Sequence, residues 1–374
     1  MANPAGATHY MPATADKTKL PASVPDAGNT FAADLVIDQA LAVNYEGGAA
    51  AFIDGLAANC TDLRVFSDDT LTEVAFGVKQ FSQTPGSRKL ILGLGIPSTY
   101  PLSSAADTTY RLYRGCVGGT FESKSGVVPT ADGFVLAYSM EEASGNLLDW
   151  TANGFHGTPR NLTYGVAGAV GLAVRCNGSN TRVAAADYEP PSPFSGFTVM
   201  LWYKGDNPNA GAQANYGVLA QKWAGEGAGA GWEIRCNGSY GVQAIVNVGG
   251  VIQWAVASRM DNTWRHAALT WDGTQWRFYD GGAVVGSAQT KGSAANDDAF
   301  WLGENTPWNT KFDGDLDSLL IASAARSANW ITSYYNMTSN NGAFWTVGAE
   351  VPLAVSGSRL FHPRINPGLN PRLY

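Results

Sequence analysis

Three aspartates, Asp313, Asp315 and Asp317, stand two residues apart. On a β-strand that spacing puts all three on one face. Two carboxylates held about 5–5.5 Å apart can act as acid and nucleophile in retaining glycoside hydrolysis. Gly314, however, argues that Asp313 belongs to a turn. The run is not an EF-hand loop, because Ser318 and Ala324 stand where the loop needs glycine and glutamate. The chain has only four histidines. His9 and His362 lie near its ends, and His156 lies in a turn-rich stretch. His266 lies in a strand-like run and reads as structural. No G-x-S-x-G elbow, H-E-x-x-H pair or phosphate-cradling loop is present. The glycine-rich stretch 224–231 lacks the lysine of such a loop. These residues predict a protein that is not an enzyme.

Sugar binding needs an aromatic platform beside amide or carboxylate partners. Trp223, Trp232 and Trp308 are the candidate ligand-binding residues, with Trp254 a further unassigned tryptophan. Trp223 and Trp232 flank the glycine-rich stretch, and loops on a rigid scaffold are the usual location of binding. The competing reading for each is packing in a core or at its rim.

The elements that would position these groups follow from composition. The chain has 374 residues, which at about 150 per domain suggests two or three domains. Hydrophobic residues make up 45%, enough for a packed core. Charged residues are 15%, against about 25% in an average chain. With 44 Gly, 12 Trp, 15 Phe and 15 Tyr, this describes a β-rich chain with many turns, not a helical bundle or a coiled coil. The net charge of -7 disfavours nucleic acid as a partner. No apolar run approaches the length of a membrane span. The first residues lack the basic and apolar regions of a secretory signal, so synthesis in the cytoplasm is expected. Cys60, Cys116, Cys176 and Cys236 allow three pairings and select none; isolated thiols are the simpler reading.

All twelve tryptophans lie between Trp150 and Trp345, which sets a boundary before Trp150. Residues 1–29, with four prolines, read as an extended arm. Residues 30–116 hold short apolar runs separated by turns, the spacing of a small β-sandwich, with one helical piece near 49–56. Residues 117–131 read as a linker. Residues 132–340 carry many strands. The run 197–203 suits a strand buried on both faces, and Asp280-Gly281-Gly282 signals a hairpin. Ser327 is placed to cap a helix over 328–335. The pentapeptide Arg-Cys-Asn-Gly-Ser at 175–179 and 235–239 reads as two strands ending in similar turns. Residues 341–374 read as an extended basic tail. It is either solvated or, because Leu360, Phe361, Ile365, Leu369 and Tyr374 are apolar, a strap that docks on a partner.

Several motifs in 134–340 fall in the order of one family. They are the opening strand 134–140, the turn 148–157, Phe197-Thr198-Val199-Met200-Leu201-Trp202-Tyr203, Trp264-Arg265-His266-Ala267-Ala268, Trp276–Gly281, Trp301-Leu302-Gly303 and Phe312-Asp313-Gly314-Asp315-Leu316-Asp317. This segment resembles the laminin-G-like, concanavalin-A-like jelly-roll family. Residues 30–116 are similar to a domain of unknown function that often precedes such jelly rolls. The matching pieces are 61–68 and 109–115. The expected fold is therefore all-β: two β-sandwich domains, the C-terminal one a concanavalin-A-like jelly roll, with extended arms at both ends.

The resemblance implies one structural calcium, with Asp317 as ligand and Asp149 as a second; turn-capping aspartates without metal are the alternative. No other cofactor is expected. It also implies a lectin-like protein that binds host or environmental glycans. A jelly roll of an extracellular type without an export signal fits a bacteriophage virion protein, made in the host cytoplasm. Capsid decoration, head fibre and tail appendage all suit it. Its terminal arms would dock on other virion proteins, and a homo-oligomer is expected. The alternative is a secreted or cell-surface carbohydrate-binding adhesin of a bacterium.

Overall fold

The computed structural model describes residues 3–21, 31–46, 48–69, 71–97, 99–117, 127–185, 195–205, 217–223, 229–237, 241–256, 260–294, 298–305 and 310–353. Trp308, the glycine-rich residues 224–228, most of the linker and the tail beyond 353 lie outside these. Two β-sandwich lobes follow one another, and the chain end returns to the first.

The small lobe contains β1 (His9–Ala15), β2 (Phe31–Asp38), β3 (Arg64–Ser67), β4 (Ala75–Ser82), β5 (Lys89–Ile96) and β6 (Thr108–Arg114). A short helix, α1 (Ala49–Asp54), falls where a helical piece was expected. Strands β2, β5 and β4 form a three-stranded sheet. The facing sheet is completed from the other end of the sequence. It runs β24 (Trp345–Val347), β1, β6, β3, with β25 (Val351–Pro352) also on β1.

Residues 9–15 are thus not part of an extended arm. Their alternation buries Met11, Ala13 and Ala15, and seven residues pair with β6. Pro12 turns its carbonyl to Gly348, between β24 and β25, so its missing N–H falls where pairing lapses. Residues 345–352 likewise leave the expected tail to supply the lobe with strands.

The large lobe adds β7 (Phe134–Tyr138), β8 (Thr158–Arg160), β9 (Thr163–Ala167), β10 (Leu172–Asn177), β11 (Arg182–Ala185) and β12 (Phe197–Gly205). It continues with β13 (Val218–Lys222), β14 (Gly231–Asn237), β15 (Gly241–Asn247), β16 (Val251–Val256), β17 (Arg265–Trp271) and β18 (Gln275–Asp280). Strands β19 (Ala283–Thr290), β20 (Phe300–Leu302), β21 (Glu304–Asn305), β22 (Thr310–Lys311) and β23 (Asp313–Ala322) complete it. An eight-stranded sheet runs β19-β18-β17-β12-β23-β10-β9, with β7 also on β23. A seven-stranded sheet runs β16-β15-β14-β13-β20-β11-β8. Their inner faces share one apolar core that includes Val199, Leu201, Trp232, Ile234, Phe278 and Leu316. This is a concanavalin-A-like jelly roll, as the sequence motifs implied. Strand β12 is buried almost throughout, because both its faces are covered. Gly281 and Gly282, both at positive φ, make the expected hairpin turn between β18 and β19.

The two lobes share a second core, and two features join them. Helix α2 (Ala328–Ser339) starts at Ser327, whose hydroxyl accepts from the Trp330 N–H, and runs one turn beyond the expected end. Trp330, Ile331, Tyr334 and Met337 fill the shared core with Met200, Ala268 and Leu320 from the outer face of the eight-stranded sheet. Tyr335 stacks on Trp202, with ring centroids 5.6 Å apart. The second feature is Trp150. It lies on β4 and β5 where both are glycine; a Cβ at Gly77 or Gly93 would come within 2.6 or 2.9 Å of its ring. The outer face of the three-stranded sheet is therefore an interface, not a solvent surface.

Candidate functional site

Neither Trp223 nor Trp232 offers an exposed platform. Trp223 and Trp232 are each 1% exposed. Trp232 points into the jelly-roll core, 5.2 Å from the Phe197 ring and 6.3 Å from that of Phe300. It occupies an inward position of β14, so strand alternation decides its role. Trp308 lies outside the described residues.

The predicted calcium ligands do not fit a cation. Asp149 is buried, and its oxygens accept from the N–H groups of Ala137, Thr151 and Phe155 and from the Thr151 hydroxyl. It organises the turn that follows β7, with the exposed His156 accepting from its N–H. Asp317 is fully buried and accepts from Val170 N–H at 3.0 Å and from the Ser318 hydroxyl at 2.9 Å. Carboxylate oxygens that face N–H and O–H donors present no open position to a metal. Among the described residues, no group of three or more His, Cys, Asp or Glu side chains is placed to hold one.

Two residues of the aspartate triad are held in ion pairs. All three residues lie within β23, so Asp313 belongs to the strand, not to a turn. Arg175 pairs with Asp313 at 3.0 Å and with Asp315 at 3.2 Å, and Lys204 pairs with Asp315 at 2.8 Å. Both carboxylates are held by cations. His266 is fully buried between the rings of Trp202, Tyr334 and Tyr335, and neither ring nitrogen has a hydrogen-bond partner among the described residues. Burial drives its pKa down to about 3, so it is neutral and structural. The four cysteines are buried thiols, and burial pushes them up to about 12 at Cys60, Cys176 and Cys236 and about 11 at Cys116. The pentapeptides end β10 and β14, in opposite sheets, with Cys176 and Cys236 in the core between them.

A polar cluster lies elsewhere, on the outer face of the seven-stranded sheet. Inward positions of β14 are Trp232, Ile234 and Cys236, which leaves Glu233 and Arg235 facing outward. Register places Gln221 beside Glu233 on one side and beside Trp301 on the other. The Asn305 amide donates to Gln221 at 3.0 Å and to Glu233 at 3.4 Å. Arg235 reaches Glu233 at 3.5 Å and donates to Gln243 at 3.4 Å. Gln221, Glu233, Gln243 and Asn305 are all nearly inaccessible, a buried polar layer on that side of the sheet. Trp301 is half-buried on the same face, and the Arg182 guanidinium lies 4.7 Å from its ring centroid. An aromatic ring beside amides and a carboxylate is the constellation a sugar needs. Sequence reasoning passed over these residues, although the alternation in Trp232-Glu233-Ile234-Arg235-Cys236 marks the polar face of β14.

Comparison with known proteins agrees with this architecture. Residues 177–332 match the model of the concanavalin A-like lectin/glucanases superfamily, in its laminin-G form. No curated protein matches the chain. Among solved structures, the binding domain of Paraclostridial Mosquitocidal Protein 1 is 17% identical, with a TM-score of 0.41 over 55% of this chain and 52% of that one. Domain 4 of AbnA, a GH43 extracellular arabinanase from Geobacillus stearothermophilus solved with arabinotriose, is 18% identical, with a TM-score of 0.41 over 54% of this chain and 98% of that one. The receptor binding domain of botulinum neurotoxin D is 14% identical, with a TM-score of 0.42 over 55% of this chain and 52% of that one. The chain spans about half the length of the two toxin domains.

Proposed function

We propose that the chain is a non-catalytic glycan-binding protein whose ligand lies on the outer face of the seven-stranded sheet. The observation that carries this reading is the row Trp301–Gln221–Glu233, an aromatic ring, an amide and a carboxylate side by side on one face. Trp301 offers a stacking surface. Gln221, Glu233 and Asn305 form a hydrogen-bonded layer beside it, with Arg235 against Glu233. The match of residues 177–332 to a lectin and glucanase superfamily supports the same reading. The ion pairs on Asp313 and Asp315 favour binding over hydrolysis.

The test is a glycan array with the wild-type chain and Trp301→Ala. Wild-type binding that weakens at least about tenfold in the variant, about 1.4 kcal/mol, supports the site. A blank array with folded wild type overturns the reading. So does binding that Trp301→Ala leaves unchanged. Hydrolysis of a polysaccharide panel, lost in Asp315→Asn, would instead establish an enzyme.

The setting we propose is a phage virion, as a homo-oligomeric decoration, head fibre or tail appendage, on sequence grounds alone. Antibody label on purified particles supports it. Label confined to cells would favour a bacterial surface adhesin.

A further inference from the structure

Lys79 and Asp34 meet across a strand that separates them. Asp34 lies on β2 and Lys79 on β4, and β5 runs between the two. The middle strand carries Gly93 at this point, the register partner of both Asp34 and Gly77. A Cβ at Gly93 would lie 3.5 Å from Lys79 Cε, so the glycine leaves the path of the lysine stem open. The pairing of β4 with β5 slips between Val78 and Gln80, and this bulge re-aims the Lys79 side chain. Its Nζ comes to 2.8 Å from Asp34 Oδ1. The Asp34 end is fixed through its backbone. Its carbonyl accepts from the Asn341 amide at 2.6 Å and from the Trp345 indole at 2.8 Å, and its N–H donates to the Met337 sulfur at 3.4 Å.

The contact is also shielded from water. The Lys79 and Asp34 side chains are 6% and 7% exposed. The ring centroid of Trp150 lies 5.8 Å from the ammonium. A cavity of about 40 Å³, lined by both residues and by Trp150, opens beside them. It has room for one water molecule. Burial works to discharge Lys79, but the carboxyl groups near it, Asp34 first, raise its pKa, so the pair rests as ammonium and carboxylate. Holding two ions out of water is costly, and an uncharged link between the same atoms removes that cost. Two groups fixed in contact also react as though at very high concentration.

We propose that Lys79 and Asp34 are a self-modification site, at which the chain forms an intramolecular isopeptide bond. A proton first passes from the Lys79 ammonium to the Asp34 carboxylate across the 2.8 Å contact. The lone pair on Nζ then attacks Cγ, one bond beyond the contacting oxygen. The N–C bond forms, a C–O bond breaks, and the oxygen leaves as water with two of the three ammonium protons. The third proton stays on the amide nitrogen. Nothing is oxidised or reduced, and no co-reactant is consumed. The adjoining cavity receives the water. The product ties together the two outer strands of the three-stranded sheet, on the face against which Trp150 packs.

The experiment is mass spectrometry of the purified full chain under denaturing conditions, followed by proteolysis and fragmentation of the peptides that carry positions 34 and 79. The wild type is expected to be lighter than its sequence dictates by one water, and to yield a branched peptide that joins Lys79 to Asp34. The Lys79→Arg variant keeps a cation beside Asp34 but has no primary amine there. It is expected at full mass, without the branched peptide. Wild type at full mass overturns the bond and leaves an ion pair. A missing water that fragmentation places elsewhere, such as at an aspartate followed by glycine, overturns it as well. If the variant fails to fold, the wild-type peptides decide alone, because fragmentation locates the bond.

Discussion

Asn341 and Val36 meet at the free edge of the three-stranded sheet, where the Asn341 side chain accepts from the Val36 N–H at 2.9 Å. Its amide also donates to Asp34 O at 2.6 Å. One side chain therefore stands in for a neighbouring strand on β2. The Asn44 amide donates to the Val36 carbonyl, and the Trp345 indole is a second donor to the Asp34 carbonyl. An exposed strand edge invites unwanted pairing, and this arrangement removes it. Replacing Asn341 with Leu leaves the buried Val36 N–H without a partner. The expected cost is about 1–3 kcal/mol in urea unfolding. An unchanged midpoint would show that the edge is satisfied in another way.

Trp232 and Trp301 separate a core role from a surface role. Trp232→Ala opens a cavity in the jelly-roll core and is expected to cost about 3–5 kcal/mol. Trp301→Ala removes a half-buried ring and is expected to change stability by less than half of that. Calorimetry on the two variants measures the difference. Comparable losses would place Trp301 in the core.

Gly77 and Gly93 are expected to tolerate no side chain. Gly77→Ala drives a methyl group into the Trp150 ring and should destabilise the chain by about 1–3 kcal/mol. The measurement is again the unfolding midpoint. A neutral result would mean that Trp150 shifts without cost.

Stability should fall on both sides of a mildly acidic optimum. In the folded chain Glu141 and Asp317 keep protons that the unfolded chain has released above its usual carboxylate range. Their contribution is full below that range and is lost as pH rises through about 7 and 8. His266 has the opposite sign. Its depressed pKa contributes stability above about 6.5 that is lost as pH falls toward about 3. The optimum is expected near about pH 4, where the gain from His266 balances the first carboxyl loss, with an alkaline slope on the order of 1 kcal/mol per pH unit. Urea titrations across pH test this. His266→Phe should flatten the acid limb, and Glu141→Gln/Asp317→Asn the alkaline one.

Calcium is expected to leave the melting temperature unchanged, whether added or removed with a chelator. The reason is the set of N–H and O–H donors already seated on Asp149 and Asp317. A rise in melting temperature with calcium that chelator reverses would show a metal site elsewhere in the chain.

The sequence by itself determined what is local. Alternation specified the faces of β14, unbroken apolar character specified the buried strand β12, Ser327 specified the start of α2, and Asp280-Gly281-Gly282 specified a hairpin. These depend on side-chain period, capping and backbone freedom, which neighbouring residues set. The ordered motifs of the large lobe pointed to a jelly roll for the same reason.

Only the tertiary structure decided what meets across distance. β1 pairs with β24 and β25 from the far end of the chain because the small lobe needs strands to complete its sheet. A stretch of alanine, proline and threonine reads as an arm until its partners are known. Trp232 sits beside a glycine-rich loop in sequence but inside the sandwich in space, and Trp223 is buried as well. Asp34, Lys79, Glu141 and Asp317 come from four separate segments and carry no shared motif. The Lys79–Asp34 pair joins two strands, and the bond from Gln80 to Glu141 exists only once the two lobes are packed.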